Sequence, residues 1–255
     1  MIIKVLKAIA GLVIMPFCIR VFRPEKVFRD KRVAVVGAAS SILSSPNGEY
    51  IDTFDIVIRI NKALITWNNN TDQYTGRKVD MLFHSFYENE ERGGAGKLDL
   101  QLFTKRNAQF LVQPRNNTEG LRIIYNFFKK YRKFHKVYIL PRVFYKFLNS
   151  KFSGLKPTIG YCALHTALMS RCNEVFITGF TFFKTPYAKG YRDNLISLEE
   201  NARHIKKQGQ HSPEVEFKNF QDLLKLRKSK KIIVDTDLEK ILSSCEVDTS
   251  EIIVK

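Results

Sequence analysis

The chain has 255 residues, 44% hydrophobic and 26% charged, enough for one large core or two small ones; one globular domain with a short N-terminal appendage is the expected arrangement. Forty-two Lys and Arg against 25 Asp and Glu give a net charge of +17, which favours anionic partners. No zinc-finger spacing, "RGFGFV"-like segment or basic region followed by heptads turns that charge towards nucleic acid.

In chain order, the first element is the apolar stretch "MIIKVLKAIAGLVIMPFCIRVFR". Its longest uncharged run, 8–19, has 12 residues, short of the about 20 that a spanning helix needs. More positive charge follows the stretch (Arg20, Arg23, Lys26, Arg29, Lys31, Arg32) than precedes it, which opposes an anchor with a cytoplasmic N-terminus. The segment 1–28 is therefore expected to be an amphipathic helix lying on an anionic membrane, with the globular domain over 29–255; a helix packed on the protein's own core is the alternative. Cys18, Cys162, Cys172 and Cys245 are scattered without CxxC spacing, so neither a zinc site nor a disulfide framework is indicated and a reducing compartment fits best.

Strand-like runs follow: "VAVVG" (33–37), "DIVIRI" (55–60), "DMLFHS" (80–85), "AQFLVQP" (108–114), "KVYILP" (136–141), "EVFITGF" (174–180) and "KKIIVD" (230–235). Most lack polar alternation, as strands covered on both faces do. Helical stretches at 119–130, 161–171, 197–207 and 213–227 lie between several of them, and "NEERGGAGK" (89–97) reads as a mobile loop. The expectation is a single α/β domain with a mostly parallel, Rossmann-like sheet flanked by helices.

Ligands in such folds gather beyond the carboxyl ends of the strands. There the chain offers "GAASSILSSPNG" (37–48), with Gly37, Ala38 and Ser40 presenting small side chains and backbone N–H groups, and "RINKA" (59–63), with Asn61. It also offers "PTIGYCAL" (157–164), with Thr158, Ile159 and Gly160 at a helix start, and "GFTFFKTPYAKGYRD" (179–193), with Gly179, Phe180, Tyr187 and Tyr191. GxGxxG and the P-loop pattern are absent, which argues against a dinucleotide or an ordinary NTPase.

The next segment is "HSPEVE" (211–216). Ser212 suits an N-cap, Pro213 the first helical position, and Glu214 and Glu216 the first turn. The helix dipole disfavours positive charge at its start, so His211 is expected to stay neutral near pH 7 and able to accept a proton, as a base does; an ordinary surface histidine beside a loop is the alternative reading of this stretch. His84 could approach the site, His165 lies mid-helix, and His135 and His204 look solvated. "VDTD" (234–237) supports a rival reading, an Asp235-x-Asp237 pair that holds Mn or Mg for a nucleotide-diphosphate sugar, although Asp235 would equally well cap a helix. A non-enzymatic basic membrane or RNA-binding module is the third reading.

These residues resemble a known family. "VVGAASSILSSPNGEYIDTFDIVIRINKA" (35–63) is similar to the large sialylmotif of the animal-type sialyltransferases, glycosyltransferase family 29; "PTIGYCALHTALMSRCNEVFITGF" (157–180) resembles the small motif; "HSPEVE" resembles the very small one. The latter part also looks like the bacterial sialyltransferases of family 42. Three features depart from the pattern: the usual large-motif cysteine falls at Val33, so the family's disulfide to Cys172 is not available; tyrosines stand where a third-motif histidine is usual; and Ala38-Ala39 replace the asparagine or serine usual after "VVG".

The resemblance implies a single-domain sialyltransferase fold, a GT-A variant, and inverting transfer of sialic acid or a related acidic sugar from its CMP-activated form to a glycan hydroxyl. It makes His211 the base, Glu216 its orienting partner, and Tyr187 or Tyr191 the donor to the departing phosphate. Gly37, Ala38, Ser40, Asn61, Thr158, Ile159, Gly160, Gly179 and Phe180 would hold the CMP-sugar. No metal or other cofactor is implied. The acceptor would be lipo-oligosaccharide, capsule or another glycoconjugate. The expected location is cytoplasmic, at the inner face of a membrane in a bacterial or viral setting rather than in the Golgi.

Overall fold

The computed structural model describes residues 2–67, 70–90, 94–193, 195, 197–226, 230–245 and 250–255. Among them, nine strands form one sheet: β1 (Ile19–Val21), β2 (Arg32–Val36), β3 (Ile56–Ile60), β4 (Met81–Phe83), β5 (Phe110–Gln113), β6 (Val137–Ile139), β7 (Glu174–Thr178), β8 (Lys231–Val234) and β9 (Ile252–Val254). Their spatial order is β1-β6-β5-β4-β3-β2-β7-β8-β9, and every neighbouring pair is parallel. The chain starts winding at β2, runs outwards through β3 to β6, and returns to lay β7 on the other side of β2. That reversal is the topological switch point, where a crevice opens beyond the strand ends.

The central strands are apolar because both of their faces are covered. On β2, Val33 and Val35 join one buried cluster with Val175 and Ile177 of β7, under the helices Ile159–Met169 and Pro213–Lys225. Ala34, Val36 and Phe176 point the other way, into a second cluster with Ile51, Phe54 and Trp67. Arg59 is the buried exception in β3. Its guanidinium donates to the carbonyls of Lys78 and Gly76, each at 2.9 Å, which satisfies a charge that burial alone would make costly.

The segment 1–28 contributes to the domain as well as to its surface. The helix Ile2–Cys18 turns Gly11, Ile14 and Cys18 inwards and lies along the helix Thr118–Tyr131. A Cβ on Gly11 would sit 3.0 Å from the Lys129 amide nitrogen, so glycine permits the close approach there. β1 then pairs with β6, and Phe22 and Phe28 are buried. The outer face of that helix keeps Ile2, Ile3, Leu6, Leu12 and Phe17 exposed. Among the described residues, no helix is long and apolar enough to cross a membrane.

Seven of the strands and four of the helices lie where the sequence places them. β1, β9 and the helix Arg142–Ser150 were not foreseen. Within the expected loop at 89–97, residues 91–93 lie outside the described residues, as does residue 227 at the end of the expected helix 213–227. Gly94 and Ala95 are tied by their N–H groups to the carbonyls of Asn89 and Tyr87, at 2.7 Å each.

Candidate functional site

The ends of β2 and β7 approach closely. A Cβ on Gly37 would lie 2.1 Å from the Gly179 carbonyl oxygen, so no side chain fits there. Gly179 takes φ +70°, and its N–H donates to Asp235 Oδ2 at 2.7 Å. Asp235 Oδ2 also accepts from Thr178 Oγ1 at 2.9 Å, while Oδ1 accepts the Leu238 N–H at 2.8 Å and caps the helix Thr236–Ser243. The aspartate of "VDTD" thus fastens β8 to the β7 turn. Among the described residues, no three His, Cys, Asp or Glu side chains gather as a metal-ligand set.

The loop after β7 folds back on the loop after β2. The Ser40 N–H donates to the Pro186 carbonyl and the Ala188 N–H to the Ala38 carbonyl, both at 2.9 Å, and Ala39 bridges Tyr187. This sets the Tyr187 and Tyr191 rings in a stack, with centroids 5.4 Å apart. Burial raises both phenols above their usual range, so both remain neutral hydrogen-bond donors. Tyr191 donates to the Ile60 carbonyl at 3.4 Å. Asn61 takes φ +51°, donates its N–H to the Phe83 carbonyl, and accepts the Ser85 N–H on Oδ1. Phe182 and Phe183 in the same β7 loop hold φ of 49° and 63°, a conformation that bulky residues keep only where packing enforces it.

Thr158 caps the helix Ile159–Met169 by accepting the Tyr161 N–H, and its own hydroxyl and N–H donate to Glu216 Oε2 and Oε1 at 3.0 and 2.5 Å. Glu216 is buried, and burial pushes its carboxyl up to about 8 against the pull of those two bonds.

His211 precedes the Ser212 N-cap and Pro213, as expected. Its Nδ1 lies 2.6 Å from the Lys156 carbonyl oxygen. A carbonyl only accepts, so Nδ1 carries the hydrogen and Nε2 carries the lone pair. Burial lowers the imidazole to about 4, against the hydrogen bond to Lys156 and with help from the charges of Arg115, Lys156 and Arg192. The ring is neutral at pH 7, and burial is the largest cause.

One cleft at the switch point collects Gly37, Ala38, Asn61, Thr158, Ile159, Gly160, Gly179, Phe180, Tyr187, Tyr191 and Glu216. Ser40 lies outside it and heads a short 3-10 turn. His211 lines the adjoining groove with Ile205, Lys206, Phe217 and Lys218, and Phe182 and Phe183 form the wall that cleft and groove share. The hydrogen bonds of Glu216 go to Thr158, so it holds the Thr158 turn; the partner that orients His211 is the Lys156 carbonyl.

The other histidines stand apart from the cleft. His84 is fully buried and accepts the Phe86 N–H at Nδ1; His165 is buried near Phe144 and Tyr161. His135 and His204 are half-buried rather than solvated: the first packs on Phe103, and the second takes bonds from Arg192 and Gln208. Asn201 is a lining residue that the sequence did not reveal. It sits in the polar helix Leu198–Gln208, where nothing in the pattern distinguishes it from a solvated asparagine.

The parallel sheet thus carries a two-cavity site at its switch point, lined by phenols and a neutral imidazole. Residues 15–228 match Glycosyltransferase family 29 (sialyltransferase), and the chain belongs to that family. It is accordingly a CMP-sialic acid-dependent glycosyltransferase. Among solved structures, a mammalian sialyltransferase in complex with Gal-beta-1-3GalNAc-ortho-nitrophenol is similar in fold, with 19% identity, TM-score 0.54, and coverage of 87% of this chain and 77% of that one. A variant of the sialyltransferase CST-II in complex with CMP is also similar, with 15% identity, TM-score 0.51, and coverage of 88% and 86%. No curated protein sequence matches the chain.

Proposed function

We propose that the CMP-activated donor occupies the cleft, that the acceptor enters through the groove, and that His211 Nε2 removes the acceptor proton where the two meet. The observation that carries this reading is the pair of cavities sharing the Phe182–Phe183 wall, with neutral phenols on one side and an imidazole with a bare Nε2 on the other. Inversion needs the base and the leaving group on opposite faces of the transferred sugar, and two adjoining cavities with a shared wall support that reading. The phenols of Tyr187 and Tyr191 donate to the phosphate as CMP departs; backbone amides of the Gly37–Ser40 turn and Asn61 help to hold the nucleotide. This charge stabilisation is supplied by the chain's own donors and calls for no divalent ion. The carboxylate and phosphate of the donor raise the His211 pKa on binding and strengthen it as a base.

Lys184, Lys206 and Lys218 along the groove favour an anionic glycan acceptor such as lipo-oligosaccharide, capsule or another glycoconjugate. The exposed apolar face of the helix Ile2–Cys18, with Lys4 and Lys7 on the same helix, suits peripheral attachment at the inner face of an anionic membrane, in a cytoplasmic setting.

Titration calorimetry with CMP, UDP and GDP tests the donor assignment. CMP is expected to bind at least about tenfold more tightly than UDP or GDP, with EDTA making no difference; no heat with CMP, or binding that EDTA abolishes, would contradict it.

A further inference from the structure

Asn201 is 2% exposed, lines the cleft and, among the described residues, leaves both its Nδ2 donor and its Oδ1 acceptor without a partner. Several other polar groups there are already engaged. Thr158 and Glu216 bind each other, Thr181 and Thr185 share a bond, and Asn61 Oδ1 holds the Ser85 N–H. A buried amide with neither atom satisfied is rare in a folded protein, because the chain has given up its water without recompense. In a substrate cleft, that is the condition of a group whose partner arrives with the ligand.

The helix Leu198–Gln208 fixes where this amide stands. Its capping box, Ser197 with Glu200, anchors the N-terminus, and His204 is held by Arg192 and by Gln208. It turns Asn201 towards the cleft, whereas Ala202, Ile205 and Lys206 line the His211 groove. Asn201 thus sits at the border of the two cavities. On the proposed function, on which this inference rests, the nucleotide fills the strand-end part of the cleft and the transferred sugar lies at that border.

We propose that Asn201 is a specificity-determining residue that binds the sugar half of the donor: its amide accepts from one sugar hydroxyl or acylamino N–H and donates to a neighbouring oxygen. A carboxamide presents a donor and an acceptor side by side, matching adjacent polar substituents on a sugar ring and leaving the nucleotide to the residues around Gly37, Asn61 and Thr158.

The test compares Asn201→Leu and Asn201→Ala with the unaltered chain by calorimetry, using CMP and a non-transferable 3-fluoro analogue of CMP-sialic acid, alongside ligand-free thermal melts. Both substitutions are expected to weaken the analogue by about 10- to 100-fold and to leave CMP within about twofold, the loss that follows removal of a buried hydrogen-bonding pair. Asn201→Leu is further expected to raise the ligand-free melting temperature, because an apolar isostere removes two unsatisfied groups. Analogue affinity that follows CMP affinity in both variants would overturn the role of Asn201 alone. Failure of the unaltered chain to bind CMP would overturn the donor reading and this inference together.

Discussion

At the residue scale, two acidic side chains of similar sequence context have different duties. Asp235 caps a helix and secures the Gly179 turn, while Glu216 joins the helix Pro213–Lys225 to the Thr158 turn. Glu216→Ala leaves the Thr158 N–H and hydroxyl facing a void. It is expected to lower unfolding stability by about 1–3 kcal/mol in urea titrations, and an unchanged midpoint would show that this link carries no stability. The cap at Ser212 and the proline after it are legible in the letters alone. The tautomer of His211 is not, because Lys156, whose carbonyl sets it, lies 55 residues away and meets it only through the fold. Asn201 was invisible for a related reason: its significance is a lack of partners, which no sequence displays.

At the element scale, the sheet centre was readable because β2, β7 and, but for Arg59, β3 are apolar runs bounded by glycine, asparagine or charge. The edges were not. β1 and β9 have three residues each, and β1 continues directly from an apolar helix, so no change of period marks it. The helix Ile2–Cys18 is amphipathic in an unusual sense: one side is seated on the helix Thr118–Tyr131, and the exposed side is also apolar. Charging the exposed side with Leu6→Glu and Leu12→Glu is expected to reduce binding to phosphatidylglycerol-containing vesicles at least about tenfold in a sedimentation assay and to shift the melting temperature little. Equal vesicle binding by the doubly charged variant would remove the case for this surface. Gly11→Leu should act the other way, costing about 1–3 kcal/mol of stability by pushing the helix off Lys129, as read by urea unfolding.

At the scale of the whole molecule, one reversal of winding direction between β2 and β7 brings together segments as distant as Gly37, Thr158 and Tyr187, and this is why motifs scattered over the sequence share one cleft. Burial on that scale also shapes the response to pH. His84, His165 and His211 are each held at about 4, well below the usual 6.5, so the unfolded chain takes up protons that the folded chain refuses as pH falls below about 6.5. Their contribution to stability is complete above that value and is lost towards pH 4. Glu216 has the opposite sign: raised from 4.5 to about 8, it adds stability as pH falls from about 8 to 4.5. Above about 6.5 the carboxyl acts alone, and below it three imidazoles outweigh one carboxyl, so these four groups place maximal stability near pH 6.5. Urea unfolding across pH 4 to 9 checks this, and a monotonic profile would contradict it.

The central claim is that the neutral His211 ring takes the acceptor proton while CMP departs. The most direct measurement is turnover of CMP-sialic acid by His211→Ala, on an acceptor that supports turnover by the unaltered chain, with CMP affinity measured in parallel. A fall in kcat of about 10²- to 10⁴-fold, with CMP affinity kept within about twofold, is the predicted result. Turnover within about threefold of the unaltered enzyme would contradict it.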